Sequence, residues 1–333
     1  MVQRVDRHLT GILLALVVSL VIGCGDDSRP PAPNGPLAEA LAELGGGGEH
    51  GSLGVGWTDP QLARERGVGV RLMADALGPN ADTLIETAPQ LRRRFGLDPL
   101  AARRLVSVGG SFAFGLRLDG VDGEGLQDAL VRAGGHAKSV GDVDVTDVGE
   151  WAEVPEPLLQ LGVLGLGARD AFGPELAVLA ISERARAALL GRGDRLIDEP
   201  IYPAAADCLG PVVAARMIPD KLLLSVEVGI ELVAVGIQQD REVLCVLGGT
   251  AERAREIAGS LRASLAPGAR DPRTGEQISE LVESVDVRTS SSEDVEVVRA
   301  ELTPAPGQRG FLFGAIARGS LVALINGSNT QGP

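Results

Sequence analysis

Six apolar residues, Val106, Val108, Phe112, Phe114, Leu116 and Leu118, all occupy even positions within one short stretch. Side chains alternate across a strand, so this spacing puts all six on one side and predicts a strand that ends at Asp119-Gly120. Leu53, Val55 and Trp57 alternate as an earlier strand, and Leu62, Val70, Met73 and Leu77 predict a helix loosened by Gly67 and Gly69. Leu84, Ala88, Leu91 and Phe95 keep helical spacing in a segment that Pro89 splits. Leu126, Ala129, Leu130 and Ala133 mark an amphipathic helix closed by Gly134-Gly135, and a strand follows through Val143 and Val145. After a Pro-, Leu- and Gly-rich loop, Leu176 to Ile181 reads as a strand, Glu183 to Leu190 as a helix and Val212 to Met217 as a strand. The order is β-α-β-β-α-β.

It recurs. Glu242 to Leu247 is a strand, and Ala254, Ile257, Ala258, Leu261 and Leu265 line one face of a helix starting near Thr250. Val282 to Val287 and Val295 to Leu302 read as strands around the polar turn Ser290 to Asp294. Gly310 to Arg318 reads as a short helix and Leu321 to Ile325 as a last strand, while Leu222 to Gln238 is a hairpin bent near Gly229. Two units of this order predict an α+β fold of tandem ferredoxin-like units, with helices on one face of each antiparallel sheet. Their expected extents are 52–220 and 221–330.

The N-terminus is of another kind. Arg4 and Arg7 precede an apolar run from Leu9 to Ile22. As a helix that run reaches about 21 Å, against a hydrocarbon core of about 30 Å, so it is too short to span. Charge, apolar run and small residues match a secretory signal, here residues 1–23. An ordinary signal peptide cut near residue 23, with Cys24 a bystander, is the plainer alternative. The motif Leu20-Val21-Ile22-Gly23-Cys24 resembles the lipobox of bacterial lipoproteins. The resemblance covers 24 residues and implies diacylglyceryl attachment at Cys24, cleavage before it and an extracytoplasmic body anchored to the cell membrane or outer membrane. One myristoyl-length chain holds only marginally, whereas two or more acyl chains anchor stably. In Gram-negative members an Asp right after the cysteine retains the protein in the inner membrane; Gly25 stands here, which favours outer-membrane sorting. Val55 to Asp59, Gly96 to Pro99 and Asp207 to Gly210 also resemble segments of lipoproteins from high-GC bacteria, a group without an assigned chemistry.

Residues 24–51 read as a tether. From Gly25 to Pro36 the chain has almost nothing to bury, and at about 3.1 Å per residue these twelve residues reach roughly 40 Å. Leu37 to Leu44 forms one short helix before Gly45 to Gly48 interrupts the chain. The net charge of −14 repels nucleic acid and anionic headgroups. Lys138 and Lys221 are the only lysines, so the abundant arginine reads as codon usage and not as phosphate recognition. Six Phe, two Trp and one Tyr are too few and too scattered for a stacking platform.

Cys208 and Cys245 form the other cysteine pair, and in an exported chain an even pair reads as a disulfide. Two buried thiols too far apart to bond are the alternative; no His or basic cluster adjoins either to make it a nucleophile. His50 and His136 lie in Gly-rich surroundings and read as surface residues without a role, and no clustered nitrogen or sulfur set is left for a metal. Gly109-Gly110-Ser111-Phe112-Ala113 lacks the second glycine of a nucleophile elbow. Asp119 to Gly125 superficially looks like a calcium loop, but Val121 stands at an oxygen-ligand position, so Asp122 is expected to cap the next helix instead. Asp142, Asp144 and Asp147 read as a solvated hairpin face. No cofactor is implied. The expected role is binding or structural contact at the envelope without catalysis, with an envelope protein or a hydrophobic ligand as partner. The ligand reading draws on Leu158 to Leu166, and an extracytoplasmic enzyme of unrecognised type stands as a further alternative.

Overall fold

A computed structural model describes residues 35–46, 53–78, 81–109, 114–132, 136–140, 143–147, 170–223, 229–292 and 294–327. Among the described residues, twelve strands form one antiparallel sheet in the order β11-β12-β10-β9-β8-β1-β2-β3-β7-β6-β5-β4. They are β1 (Val55–Thr58), β2 (Arg104–Val108), β3 (Gly115–Asp119), β4 (His136–Val140), β5 (Val143–Asp147), β6 (Ala171–Gly173) and β7 (Leu176–Ala180). The remaining strands are β8 (Ala214–Pro219), β9 (Leu232–Ile237), β10 (Glu242–Leu247), β11 (Val282–Ser292) and β12 (Val295–Pro304).

The α+β class and the antiparallel pairing are as expected. Instead of two sheets, however, the strands of both expected units join in one. β1 pairs β2 on one side and β8 on the other, and β8 pairs β9. The expected boundary at 220/221 falls in the 3-10 turn Asp220–Leu222 between these two neighbouring strands.

Helices cover both faces of the sheet. On one face Pro36–Ala42, Glu183–Leu189 and Ile201–Leu209 pack over Val55, Trp57, Val106, Met217 and Ala234. On the other, Ala251–Ser264, Phe311–Arg318 and Leu321–Asn326 cover Val233, Val235 and Leu244. There too, Val70–Leu77, Ala81–Glu86, Ala88–Phe95 and Gly123–Arg132 cover Leu105, Leu116 and Leu118. β9 and β10 are consequently buried at every position, which explains why they read as nearly unbroken apolar runs.

Three segments differ from their expected form. The stretch from Val106 to Leu118 is a hairpin, with Val108 opposite Gly115 and Val106 opposite Arg117. The chain reverses, so Val106 and Val108 join one core while Leu116 and Leu118 join the core across the sheet. Leu321–Asn326 is a helix and not a strand, because Leu321, Leu324 and Ile325 at i, i+3 and i+4 bury one helical face. Of the expected hairpin from Leu222 to Gln238 the described residues include one strand, β9, which pairs with β10.

Cys208 and Cys245 are bonded, with Cα atoms 6.2 Å apart. The bond ties the helix Ile201–Leu209 to β10, where Cys245 is fully buried. Cross-linking residues 37 apart stabilises by about 4 kcal/mol in the chain-entropy model. Urea titration of Cys208→Ala/Cys245→Ala should show a loss of about that size, and the reduced wild type should match it.

Candidate functional site

Where the two parts of the sheet meet, β1 lies between β8 and β2, with Gly56 opposite both Arg216 and Ser107. The helix Val70–Leu77 ends on Gly56. A Cβ there would stand 2.6 Å from the Ala76 carbonyl oxygen and from the Leu77 Cα, so only glycine lets the helix come this close. Gly78, at φ 90°, stops the helix, and its N–H donates to the Ala74 and Asp75 carbonyls at 3.1 and 3.3 Å. Ser107 Oγ donates to the Leu77 carbonyl at 2.5 Å.

Beside this contact is a cavity of about 100 Å³. Gly56, Ser107, Gly78 and Arg216 line its polar part, and Phe114, Ile218 and Leu222 line its apolar part. Arg216 Nη1 donates to the Asp75 carbonyl at 3.4 Å. Burial pushes the Arg216 guanidinium below the usual arginine range, and the Asp75 charge acts against that shift.

A second polar centre lies at β2 and β3. Asp119, almost fully buried, accepts from Arg104 Nε at 2.6 Å and from Arg117 Nε at 2.7 Å. Glu43 accepts from the same two arginines at 2.5 and 2.6 Å, and Arg117 Nη1 also donates to the Leu189 carbonyl at 3.1 Å. Burial works against the charged Arg104, but its hydrogen bonds to Glu43 and Asp119 and their charges outweigh it, and its pKa rises. Two acids and two arginines balance, and through Glu43 the cluster clamps the end of the helix Pro36–Ala42 to the sheet. The cleft beside it is lined by Glu39, Asp59, Arg103 and Trp57, whose indole N–H is buried without a partner among the described residues.

Glu242 is fully buried at the start of β10. Its carboxylate accepts from the backbone N–H groups of Gly310, Phe311 (3.1 Å) and Leu312 (2.8 Å). It thereby caps the helix Phe311–Arg318, whose own N-cap, Gly310, has no side chain to do so. Arg309 adds its charge nearby and donates to the Arg66, Gln238 and Gln239 carbonyls. Desolvation is the largest influence on Glu242 and raises its pKa in spite of the three N–H groups and Arg309.

Of the residues singled out in the sequence, Cys208 and Cys245 come together, and Asp122 Oδ1 accepts from Gly125 N at 2.8 Å as a helix cap. Asp119 belongs to the ion cluster. His136 opens β4, exposed and opposite Asp147. Cys24, His50, Ser111, Asp142 and Leu158 to Leu166 lie outside the described residues. Among those described, no group of three or more His, Cys, Asp or Glu is placed to hold a metal, and no helix is long and apolar enough to cross a membrane. Glu242 and Arg216 escaped the sequence reading. Arg216 is a charge within an otherwise apolar strand and Glu242 opens one, but neither position by itself names a partner. No family model, curated protein or solved structure matches the chain.

Folded protein holds the Glu242 proton more tightly than unfolded protein, whose group titrates near 4.5. Above the folded pKa its burial is fully unfavourable; below 4.5 that penalty is gone. Relative to Glu242→Gln, the wild-type unfolding free energy should therefore fall as pH rises from 4.5 through the folded pKa, as measured by urea titration across that window. Glu242→Ala should cost about 3 kcal/mol by leaving three buried N–H groups without an acceptor.

Proposed function

We propose that the chain is a lipid-anchored protein of the cell envelope that acts by binding and not by catalysis. The observation that carries this reading is Cys24, placed behind Val21-Ile22-Gly23 at the end of the apolar run from Leu9. The Cys208–Cys245 bond supports it, because structural disulfides persist outside the reducing cytosol. Its partner would be another envelope protein. A second reading, carriage of a small ligand with an apolar part, draws support from the central cavity with Phe114, Ile218 and Leu222 in its lining.

We propose a duplication whose units divide before β8, and not at the expected boundary at 220/221. In one unit β1, the hairpin β2-β3 and the helix Gly123–Arg132 precede strands that return so that β7 lies beside β3. In the other, β8, the hairpin β9-β10 and the helix Ala251–Ser264 precede a hairpin that returns so that β12 lies beside β10. The equivalent strands β1 and β8 pair antiparallel, which is what two copies related by a local two-fold axis would give.

The anchor is tested in a bacterial host fed labelled palmitate. Wild type should take up label and sediment with membranes; Cys24→Ser should take up none and keep residues 1–23 by mass. Unchanged labelling and fractionation in the variant would overturn the reading.

A further inference from the structure

Arg216 is a half-buried cation with few hydrogen-bond partners, with the Asp75 charge nearby. Asp119 has two arginines and Glu242 has three N–H groups, whereas Arg216 reaches one carbonyl at the far limit of a hydrogen bond. The neighbouring carbonyls are already engaged, Leu77 by Ser107 and Ala74 and Asp75 by the N–H of Gly78. A guanidinium presents five N–H donors in a planar fork, and here a cavity of about 100 Å³ adjoins it. Its apolar lining includes Leu222, a large hydrophobic side chain left 40% exposed. Desolvation of the cation favours any ligand that brings a negative charge.

We propose that this cavity binds an organic monocarboxylate, its oxygens on the Arg216 guanidinium and a compact apolar group against Phe114, Ile218 and Leu222. A carboxylate matches two parallel N–H vectors of the guanidinium and adds only a single negative charge. Phosphate brings more charge than a single guanidinium offsets and has no part that would cover the apolar wall. The volume suits a group about the size of a benzene ring. The proposal rests on the ligand-binding reading above and is independent of the anchor.

Benzoate, benzyl alcohol and inorganic phosphate are titrated calorimetrically into the purified full chain, Arg216→Met and Leu222→Glu. Wild type should bind one benzoate with a Kd below about 1 mM, and benzyl alcohol and phosphate at least about tenfold more weakly. Each substitution should weaken benzoate at least about tenfold, the first by removing the cation and the second by placing a like charge in the apolar wall. Leu222 is surface-exposed, so Leu222→Glu keeps the test intact if Arg216→Met does not fold. No saturable benzoate binding at millimolar concentration would overturn the proposal, as would benzoate binding that survives both substitutions or phosphate binding of equal strength. Benzoate binding unchanged in Cys24→Ser would separate the site from the anchor, so either can fail alone.

Discussion

The pairing of β1 on both of its edges holds the rest of the sheet together. These four residues lie between β8 and β2, and every one of them is buried. Val55 and Trp57 point into the core beneath the helices Pro36–Ala42 and Ile201–Leu209. Gly56 and Thr58 point the other way, where Gly56 admits the end of Val70–Leu77 and Thr58 Oγ1 donates to the Val213 carbonyl at 3.1 Å. A slip of one residue would turn Trp57 onto the Ala76 and Leu77 backbone and Gly56 into the opposite core. Register here is thus fixed from both faces by the largest and the smallest side chains of the strand.

Around that strand the buried charges divide by how they are satisfied. Asp119 answers two arginines, which with Glu43 join β2 and β3 to the helix Pro36–Ala42. Glu242 answers a helix N-terminus and joins β10 to the C-terminal helices, which is the chain's own anion at a place that attracts anions. Breaking either would strand an uncompensated partner, so both act as joints between elements distant in sequence. Arg216 lies at the seam itself and lacks such an answer within the described residues. It is half-buried where the two acids are buried, and with one long hydrogen bond it keeps donors free for a ligand.

Much of this was legible from periodicity. The helix from Thr250 onward is found where its spacing put it, with Thr250 Oγ1 accepting from Arg253 N at 3.2 Å, and Pro89 does divide Ala81–Glu86 from Ala88–Phe95. Alternation misled at Val106 to Leu118 because a hairpin of suitable loop length keeps the even-numbered rhythm while reversing the face. The helix Ile201–Leu209 was invisible because Pro203 and a run of alanines give no amphipathic stripe, and its face is set by Tyr202 and Cys208 packing on the sheet. Of the site, the cysteine pair was readable from count and compartment. Arg216 was not, since its meaning depends on Gly56 and Gly78, which lie far from it in the chain and become neighbours only through β1.

The disulfide connects these two observations. Its loop runs from Cys208 to Cys245 and contains the whole of β8 and β9, including Arg216. The helix Ile201–Leu209 packs on β9 and β10 from one face of the sheet, and the Arg216 cavity lies on the other, beside the end of Val70–Leu77. By fixing the helix to β10, the bond secures β9 and β10 beneath it, and β8 is tied to that pair through its ladder with β9. A covalent link of the kind that persists in oxidising compartments therefore reinforces the neighbour of the strand that carries the proposed ligand-binding cation.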